Sequence, residues 1–312
     1  MQKFFIITGI LLLSFSAYPQ QDPEFAHNMF NKVFTNPGSA GMDGKICANV
    51  INRRQWVGFE GAPVTTLASV NSDLNLFGFN GGVGLSITDD RLGVLKSFQA
   101  KLAVSYHIDF AAGKLGIGLE AGLVNNDLES GWQPPETSPA EDPLIPENAV
   151  RKITFDAGLG AFYTVNEKLY IGVSVSHIHQ PRINYPDVTS ASFLRRHYYA
   201  TAGYNLRFFD SPIELQPSVF IKSDGTTIDY ITNLTGLYNK VFWLGVSYSN
   251  KEALTPMIGF KLFSGLRVGY SYELSLNKLI SHSKGTHEVF IGYCFDIGKT
   301  NSKYKYRCIR YL

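Results

Sequence analysis

Between residues 45 and 297, apolar and polar positions alternate in segment after segment, and each segment ends in turn chemistry. The stretch from Gly265 to Ser275 is the clearest. Leu266, Val268, Tyr270, Tyr272 and Leu274 fall on one face of an extended strand, and Arg267, Gly269, Ser271, Glu273 and Ser275 fall on the other. Successive side chains of a strand point to opposite faces, so this surface has one oily and one polar side. About fourteen such strands are predicted, over 46–56, 64–75, 80–89, 95–109, 114–126, 151–165, 168–178, 196–209, 212–222, 227–238, 241–249, 254–263, 265–276 and 286–297. Lengths near or above about ten residues suit tilted strands that cross a bilayer. The fold class expected is all-β: a closed antiparallel up-and-down transmembrane β-barrel of about 14 strands with a short N-terminal periplasmic segment.

The connections sort by length. If the chain enters from the periplasm, every second connection is periplasmic and should be short. Ala112-Gly113, Asn166-Glu167, Asp210-Ser211, Asn239-Lys240 and Ser264-Gly265 fall in that set, and each is a tight-turn dipeptide or close to one. The long stretches Asp127 to Val150 and His179 to Arg195 fall in the other set and should face outward. A soluble β-sandwich or propeller also uses hairpins. There the oily stripe would need a second sheet to cover it, and the polar stripe would be the solvated one.

A leader precedes the strands. Lys3 is followed by an apolar run from Phe4 to Phe15 and by small Ser16 and Ala17. That is the form of an export signal, and the run is too short to span a bilayer. Cleavage after Ala17 and cleavage after Gln20 both fit. The expected organisation is a signal peptide over 1–20, an N-terminal periplasmic segment or plug over 21–44, an outer-membrane barrel over 45–298, and a basic periplasmic tail over 299–312.

Composition agrees with strands in lipid. Aromatic residues make up 13% of the 312 residues and charged residues only 17%, against roughly 25% in an average soluble domain. Mean hydropathy is −0.03, as alternation requires. With 28 basic and 26 acidic residues the net charge is +2, which provides no field for nucleic acid. Cys47, Cys294 and Cys308 are too few for a disulfide framework, and none has metal-site spacing. A closed barrel makes the first and last strands neighbours, so a Cys47–Cys294 bond is open to the chain, with an odd Cys left over.

Orientation follows from register. Phe98, Ala100, Leu102, Val104, Tyr106 and Ile108 should face lipid, as should Ile153, Phe155, Leu159 and Tyr163. Gln99, Lys101, Ser105, His107, Asp109, Lys152, Thr154 and Asp156 should face inward, since ionised groups at mid-membrane cost several kcal/mol on the lipid side. The interior then carries Lys101, Asp156, Arg267, Glu273 and Glu288. Arg267, Glu273 and Glu288 form a candidate structural lumen cluster, and the mixed signs point to a filled or constricted interior. Trp56, Trp243 and Tyr293 are candidates for interfacial aromatic girdles.

Catalytic chemistry is not visible. His177 and His179 share a face if the strand continues through them, but nothing supplies further ligands, so they read as polar residues at the base of a loop, and neither a metal nor another cofactor is expected. Gly81-Gly82-Val83-Gly84 lies within a strand, where glycine permits close packing, and precedes no helix that could bind phosphate. An enzyme is not expected.

At both ends of the barrel the residues become distinctive. The N-terminal stretch DPEFAHNMFNKVFTNPGSAG (22–41), the first hairpin RRQWVGFEGAPVTT (53–66) and the last hairpin GYSYELSLNKLISHSKGTHEVFIGY (269–293) resemble the PorP/SprF family of Bacteroidota outer-membrane proteins of type IX secretion and gliding motility. The basic-aromatic ending from Arg307 to Leu312 resembles that family too. Gly38 departs from it, standing where an Ala is expected after Asn36-Pro37. The resemblance implies a non-enzymatic barrel in outer-membrane lipid. Its implied partners are type IX components, periplasmic peptidoglycan-linked proteins, and a secreted cargo or surface adhesin.

On that view Trp56, Phe59, Gly61 and Pro63 in the first outward connection, and Arg307 and Arg310 in the tail, are candidate partner-binding residues. A fold-closing loop and a solvated tail are the plain alternatives. Phe25, Met29, Phe30 and Phe34 have the spacing of one apolar helical face, suited either to plugging the periplasmic mouth or to docking a partner. The expected function is export or surface anchoring of cargo; the alternative is a channel for small hydrophobic molecules.

Overall fold

In a computed structural model, consecutive strands pair antiparallel around a complete circuit, and the last strand pairs with the first. The structure describes residues 22–76, 78–129, 150–165, 168–183, 192–262, 265–277 and 283–295. The predicted signal peptide, the tail with Arg307 and Arg310, and Cys308 lie outside the described residues.

Fourteen wall strands result. They are β1 (Ile46–Arg54), β2 (Val64–Leu76), β3 (Phe79–Leu92), β4 (Leu95–Phe110), β5 (Gly113–Leu128), β6 (Val150–Val165), β7 (Leu169–Ser176), β8 (His197–Tyr204), β9 (Ile213–Ser223), β10 (Ile228–Tyr238), β11 (Phe242–Ser249), β12 (Ala253–Lys261), β13 (Leu266–Ser275) and β14 (Thr286–Phe295). The segment predicted over 196–209 breaks at Asn205, and Leu206–Arg207 continues it as a short ladder on β9. Closure is by β1 on β14, running from Ile46 opposite Phe295 to Arg54 opposite His287. A closed circuit leaves no unpaired edge, which a strand in hydrocarbon requires. No described helix is long and apolar enough to cross a membrane.

Alternation along each strand becomes inside and outside. On β4, Phe98, Leu102, Val104, Tyr106 and Ile108 are exposed on the outer face, while Gln99, Lys101, Ser105 and His107 are buried. Leu119, Leu123, Ile153 and Phe155 extend the outer apolar band over β5 and β6. A broad band of exposed apolar side chains has lipid as its natural solvent.

Two expectations need correction. Trp243 is not in a lipid-facing girdle: it is 4% exposed and packs inside the barrel, its ring 5.4 Å from that of Phe30. The inner stripe, expected to carry the polar and charged residues, also carries large apolar ones. Ile51, Leu67, Phe162 and Phe290 point inward and are buried. The cause is the same for both, because the lumen is occupied by chain rather than by water alone.

That chain is the N-terminal segment. It does not stay at the short-turn mouth, as a purely periplasmic segment would: it starts at the end carrying the long connections, where Asp22 meets His177 just past β7, Tyr199 on β8 and Lys222 on β9. It leaves at the short-turn end, where Gly41 lies against β2 and β3. The single apolar helix that its phenylalanine spacing suggests does not form. Instead there are three short turns, Asn28–Phe30, Lys32–Thr35 and Pro37–Ser39. Asn31, Asn36, Pro37 and Gly38 supply the breaks, as residues of low helix propensity do. Phe25 and Phe34 still join one core with Ile51, Leu67, Trp243 and Phe290, with Phe30 packed against it. Met29 lines a cavity instead.

Candidate functional site

Glycines clear the path of the segment. A Cβ on Gly82 would lie 2.0 Å from the Ala40 carbonyl oxygen, and one on Gly116 would lie 2.1 Å from that of Gly38. Gly118 and Gly160 would clash with Pro37 and Asn36 in the same way. No side chain fits between these strand backbones and the segment, which explains the glycine-rich inner faces of β3, β5 and β6.

Wall side chains then bind the segment's backbone. Ser105 Oγ donates to the Gly38 carbonyl at 3.0 Å, Ser174 Oγ donates to that of Thr35 at 2.6 Å, and His107 Nε2 lies 2.9 Å from that of Ala40. Asn36 acts from the other side. Its amide donates to the Ala161 and Val173 carbonyls at 3.0 and 3.2 Å, and its side-chain oxygen accepts from Gly38 N–H at 2.9 Å.

Two ionic clusters hold the stretch nearer the long connections. In the first, Glu288 on β14 accepts the Ala26 and His27 backbone N–H groups at 2.9 and 2.8 Å and lies 2.7 Å from His27 Nδ1. Arg53 on β1 bridges Glu288 at 3.3 Å and Glu273 at 2.7 Å. The expected lumen cluster is therefore only partly assembled. Glu273 and Glu288 meet, but their cation is Arg53. Arg267 sits nearer the other end, over the rings of Phe30 and Phe290 at 5.2 and 5.7 Å, with Asn49 and the Cys294 sulfur as hydrogen-bond partners. Periodicity put Arg267 on the correct face of β13 but could not supply its height relative to the neighbouring strands. Arg53 carries a signal in retrospect, being an inward-phase charge on the strand that closes against β14.

In the second cluster, Asp22 lies 3.0 Å from His177 Nε2 and 3.7 Å from His197 Nδ1, and it accepts from Tyr199 Oη. Lys222 donates to the Asp22 carbonyl at 2.6 Å. His177 continues to Asp156 at 2.9 Å, and Lys101 joins Asp156 to Glu120 at 3.7 and 3.3 Å. Glu24 is paired with Lys222 and Lys251 at 3.4 and 3.0 Å. Asp22, His177 and His197 offer three donor atoms within 4.8 Å of one another. Lys222 beside them opposes a dication, and Asp22 already has protein partners, so the geometry suits an ionic latch.

His177 and His179 do not share a face. The strand ends at Ser176 and His177 turns with φ 55°, which sends His177 inward and leaves His179 exposed beside the Phe155 ring. At the rim of the same end, partial burial raises the Asp224 carboxyl. Hydrogen bonds from the backbone and hydroxyls of Thr226 and Thr227 prevail and hold it well below the ordinary carboxylate range.

The first connection, 55–63, is tied down at the barrel seam. Val57 N–H donates to the Gly285 carbonyl at 2.9 Å, and the Val57 carbonyl accepts from Lys284 N–H at 2.7 Å. Gly93 N–H donates to the Gly61 carbonyl at 2.9 Å, and Gln55 N–H to that of Pro63 at 2.9 Å. Trp56 takes φ 46° and Gly61 φ 71°, left-handed values that glycine adopts freely and tryptophan does not. Pro63 is buried, Trp56 half-buried, and Phe59 stands 42% exposed at the tip.

At the opposite end of the seam, Cys47 and Cys294 are register partners and form a disulfide.

In sequence, residues 17–293 match the family described as type IX secretion system membrane protein PorP/SprF. No curated protein matches the chain. Among solved structures it is similar in fold to the Acinetobacter baumannii outer membrane protein Omp33, at 8% identity and TM-score 0.49, covering 81% of this chain and 99% of that one. The Ralstonia pickettii toluene transporter TbuX is similar at 12% identity and TM-score 0.49, with 84% and 92% covered. A Pseudomonas aeruginosa FadL homologue is similar at 10% identity and TM-score 0.48, with 88% and 95% covered.

Proposed function

This chain belongs to the PorP/SprF family of type IX secretion membrane proteins, and from that premise we propose that it is a non-enzymatic docking and anchoring barrel. It sits in the outer membrane with its short turns in the periplasm. There it contacts the secretion machinery and peptidoglycan-linked proteins, and it aids export or surface attachment of a cargo or adhesin. The observation that carries this reading is the lumen crossing. A segment fixed by Asp22 at one end, Glu288 midway and Asn36 further on stands where a solute would have to pass. A barrel filled in this way works through its two faces.

Phe59, with Trp56 and Gly61 beside it, forms the outer contact for cargo, and buried Pro63 fixes the base of that loop. Their loop is pinned to the neighbouring connections while Phe59 is left exposed, an arrangement that presents an aromatic anchor at low entropic cost. Arg307 and Arg310 in the basic tail contribute a periplasmic contact to acidic surfaces.

Reconstitution tests the reading. The purified barrel should neither conduct in planar bilayers nor accelerate liposome swelling, and it should bring down secretion components after mild detergent extraction. Steady conductance without co-purifying partners would favour the small-molecule channel instead.

A further inference from the structure

The short-turn end holds a feature that anchoring of the segment does not use. A cavity of about 1050 Å³ opens there, walled on one side by Met29, Val33 and Met42 of the N-terminal segment and lined deeper by Phe162, Leu237 and Trp243. Its charge is one-sided. Among the described lining residues basic side chains outnumber acidic ones eight to three, although the whole chain holds 28 against 26. Of the three acids, Glu214 is already engaged by Arg207 at 3.4 Å and by Lys240 at 3.5 Å. Lys114, Lys168 and Lys261 have no ion-pair partner among the described residues.

The placement of these cations decides what they fit. Lys45 precedes β1, Lys114 opens β5, Lys168 precedes β7, Lys240 lies between β10 and β11, and Lys261 ends β12. They are spread around the mouth and do not converge on one point, so a single small anion could meet only one or two of them. A polymer with several negative charges can meet many. Deeper in, Thr235 Oγ1 and Trp243 Nε1 line the cavity without a hydrogen-bond partner among the described residues, at 1% and 4% exposure. Buried donors of this kind are costly unless something accepts from them. The carbonyls of an extended peptide would do so. The chain's own tail is excluded by sign, since Lys299, Lys303, Lys305, Arg307 and Arg310 make it basic.

We propose that this vestibule binds an acidic polypeptide segment of a partner protein. Its Asp or Glu side chains lie along the lysine ring, and an apolar side chain packs on Phe162 and Trp243. The inference rests on the reading that the short turns face the periplasm, where such a partner is present.

The test uses the full barrel in detergent and a fluorescein-labelled, Glu-rich dodecapeptide carrying one Leu. Anisotropy should show saturable binding that weakens as salt is raised. The variant K114Q/K168Q/K240Q/K261Q should bind about tenfold more weakly or worse. These lysines lie at the mouth and outside the core, and unchanged heat-modifiable migration would verify that the variant is folded. No saturable binding by the unmodified barrel, equal binding by the variant, or displacement of the peptide by equimolar inorganic phosphate would each overturn the proposal. Cargo release by cells lacking the gene scores the secretion role separately. Lost release with no peptide binding removes the vestibule alone, and peptide binding with unimpaired release removes the secretion role alone.

Discussion

Glu288 and His27 meet inside the barrel with Oε1 and Nδ1 2.7 Å apart, although 261 positions separate them in the chain. The same carboxylate accepts two backbone N–H groups of the segment and faces Arg53 across the closing seam. One side chain thus couples barrel closure to occupancy of the lumen.

Removing that carboxylate should damage both. Glu288→Ala leaves Arg53 and His27 buried without their shared partner, and breaking a buried pair in this way costs about 3–5 kcal/mol. Its heat-modifiable transition in detergent should fall well below that of the parent. Arg267→Ala should cost less, because Arg267 pairs with no carboxylate in this cluster. Equal transitions for the two variants would contradict the assignment of Arg53 as the cation of the cluster.

Asn36 makes three hydrogen bonds from one side chain, two to the wall and one to the segment. At about 1 kcal/mol each, Asn36→Ala should loosen residues 32–41 without opening the wall. Hydrogen exchange should speed up at Gly38 and Ser39 and stay slow in β5 and β6. Uniform acceleration would mean that the segment and wall unfold together.

Gly116 leaves no room for a methyl group, since an added Cβ would approach the Gly38 carbonyl to 2.1 Å. Gly116→Ala should displace the segment and make its Lys32 accessible to trypsin, which the parent should resist. Gly38→Ala brings a Cβ to 2.7 Å from the Gly116 carbonyl and should act in the same direction, more mildly. Resistance to trypsin in Gly116→Ala would show that the segment can shift without leaving the lumen.

The Cys47–Cys294 bond spans 247 positions. Cross-linking a loop of that size stabilises by about 5 kcal/mol in the chain-entropy account. Cys294→Ser should still close, because the ladder between β1 and β14 remains, but it should denature at a lower temperature under non-reducing conditions. Identical transitions in oxidised and reduced parent protein would show that the ladder alone holds the seam.

The wall was legible along the chain because a strand's two-residue period is local. Leu266 and Arg267 take opposite faces whatever surrounds them, and a closed barrel turns that choice into lipid or lumen. Turn residues likewise marked most strand ends within a few positions. The exceptions are informative. Trp243 and Phe290 follow the inner phase, yet an aromatic ring there looks misplaced until Phe30 is seen against it. His177 left its expected phase because one left-handed residue ends the strand.

The sequence by itself therefore determined the class, the strand count and the family, since period, turn chemistry and motifs are all written over a few neighbouring positions. Only the tertiary structure decided how the lumen is filled, that Arg53 rather than Arg267 serves Glu273 and Glu288, and that basic side chains outnumber acidic ones around the cavity at the short-turn mouth. Those facts depend on strand height, closure and the route of a separate segment. These are set by packing between residues hundreds of positions apart, which no local pattern encodes.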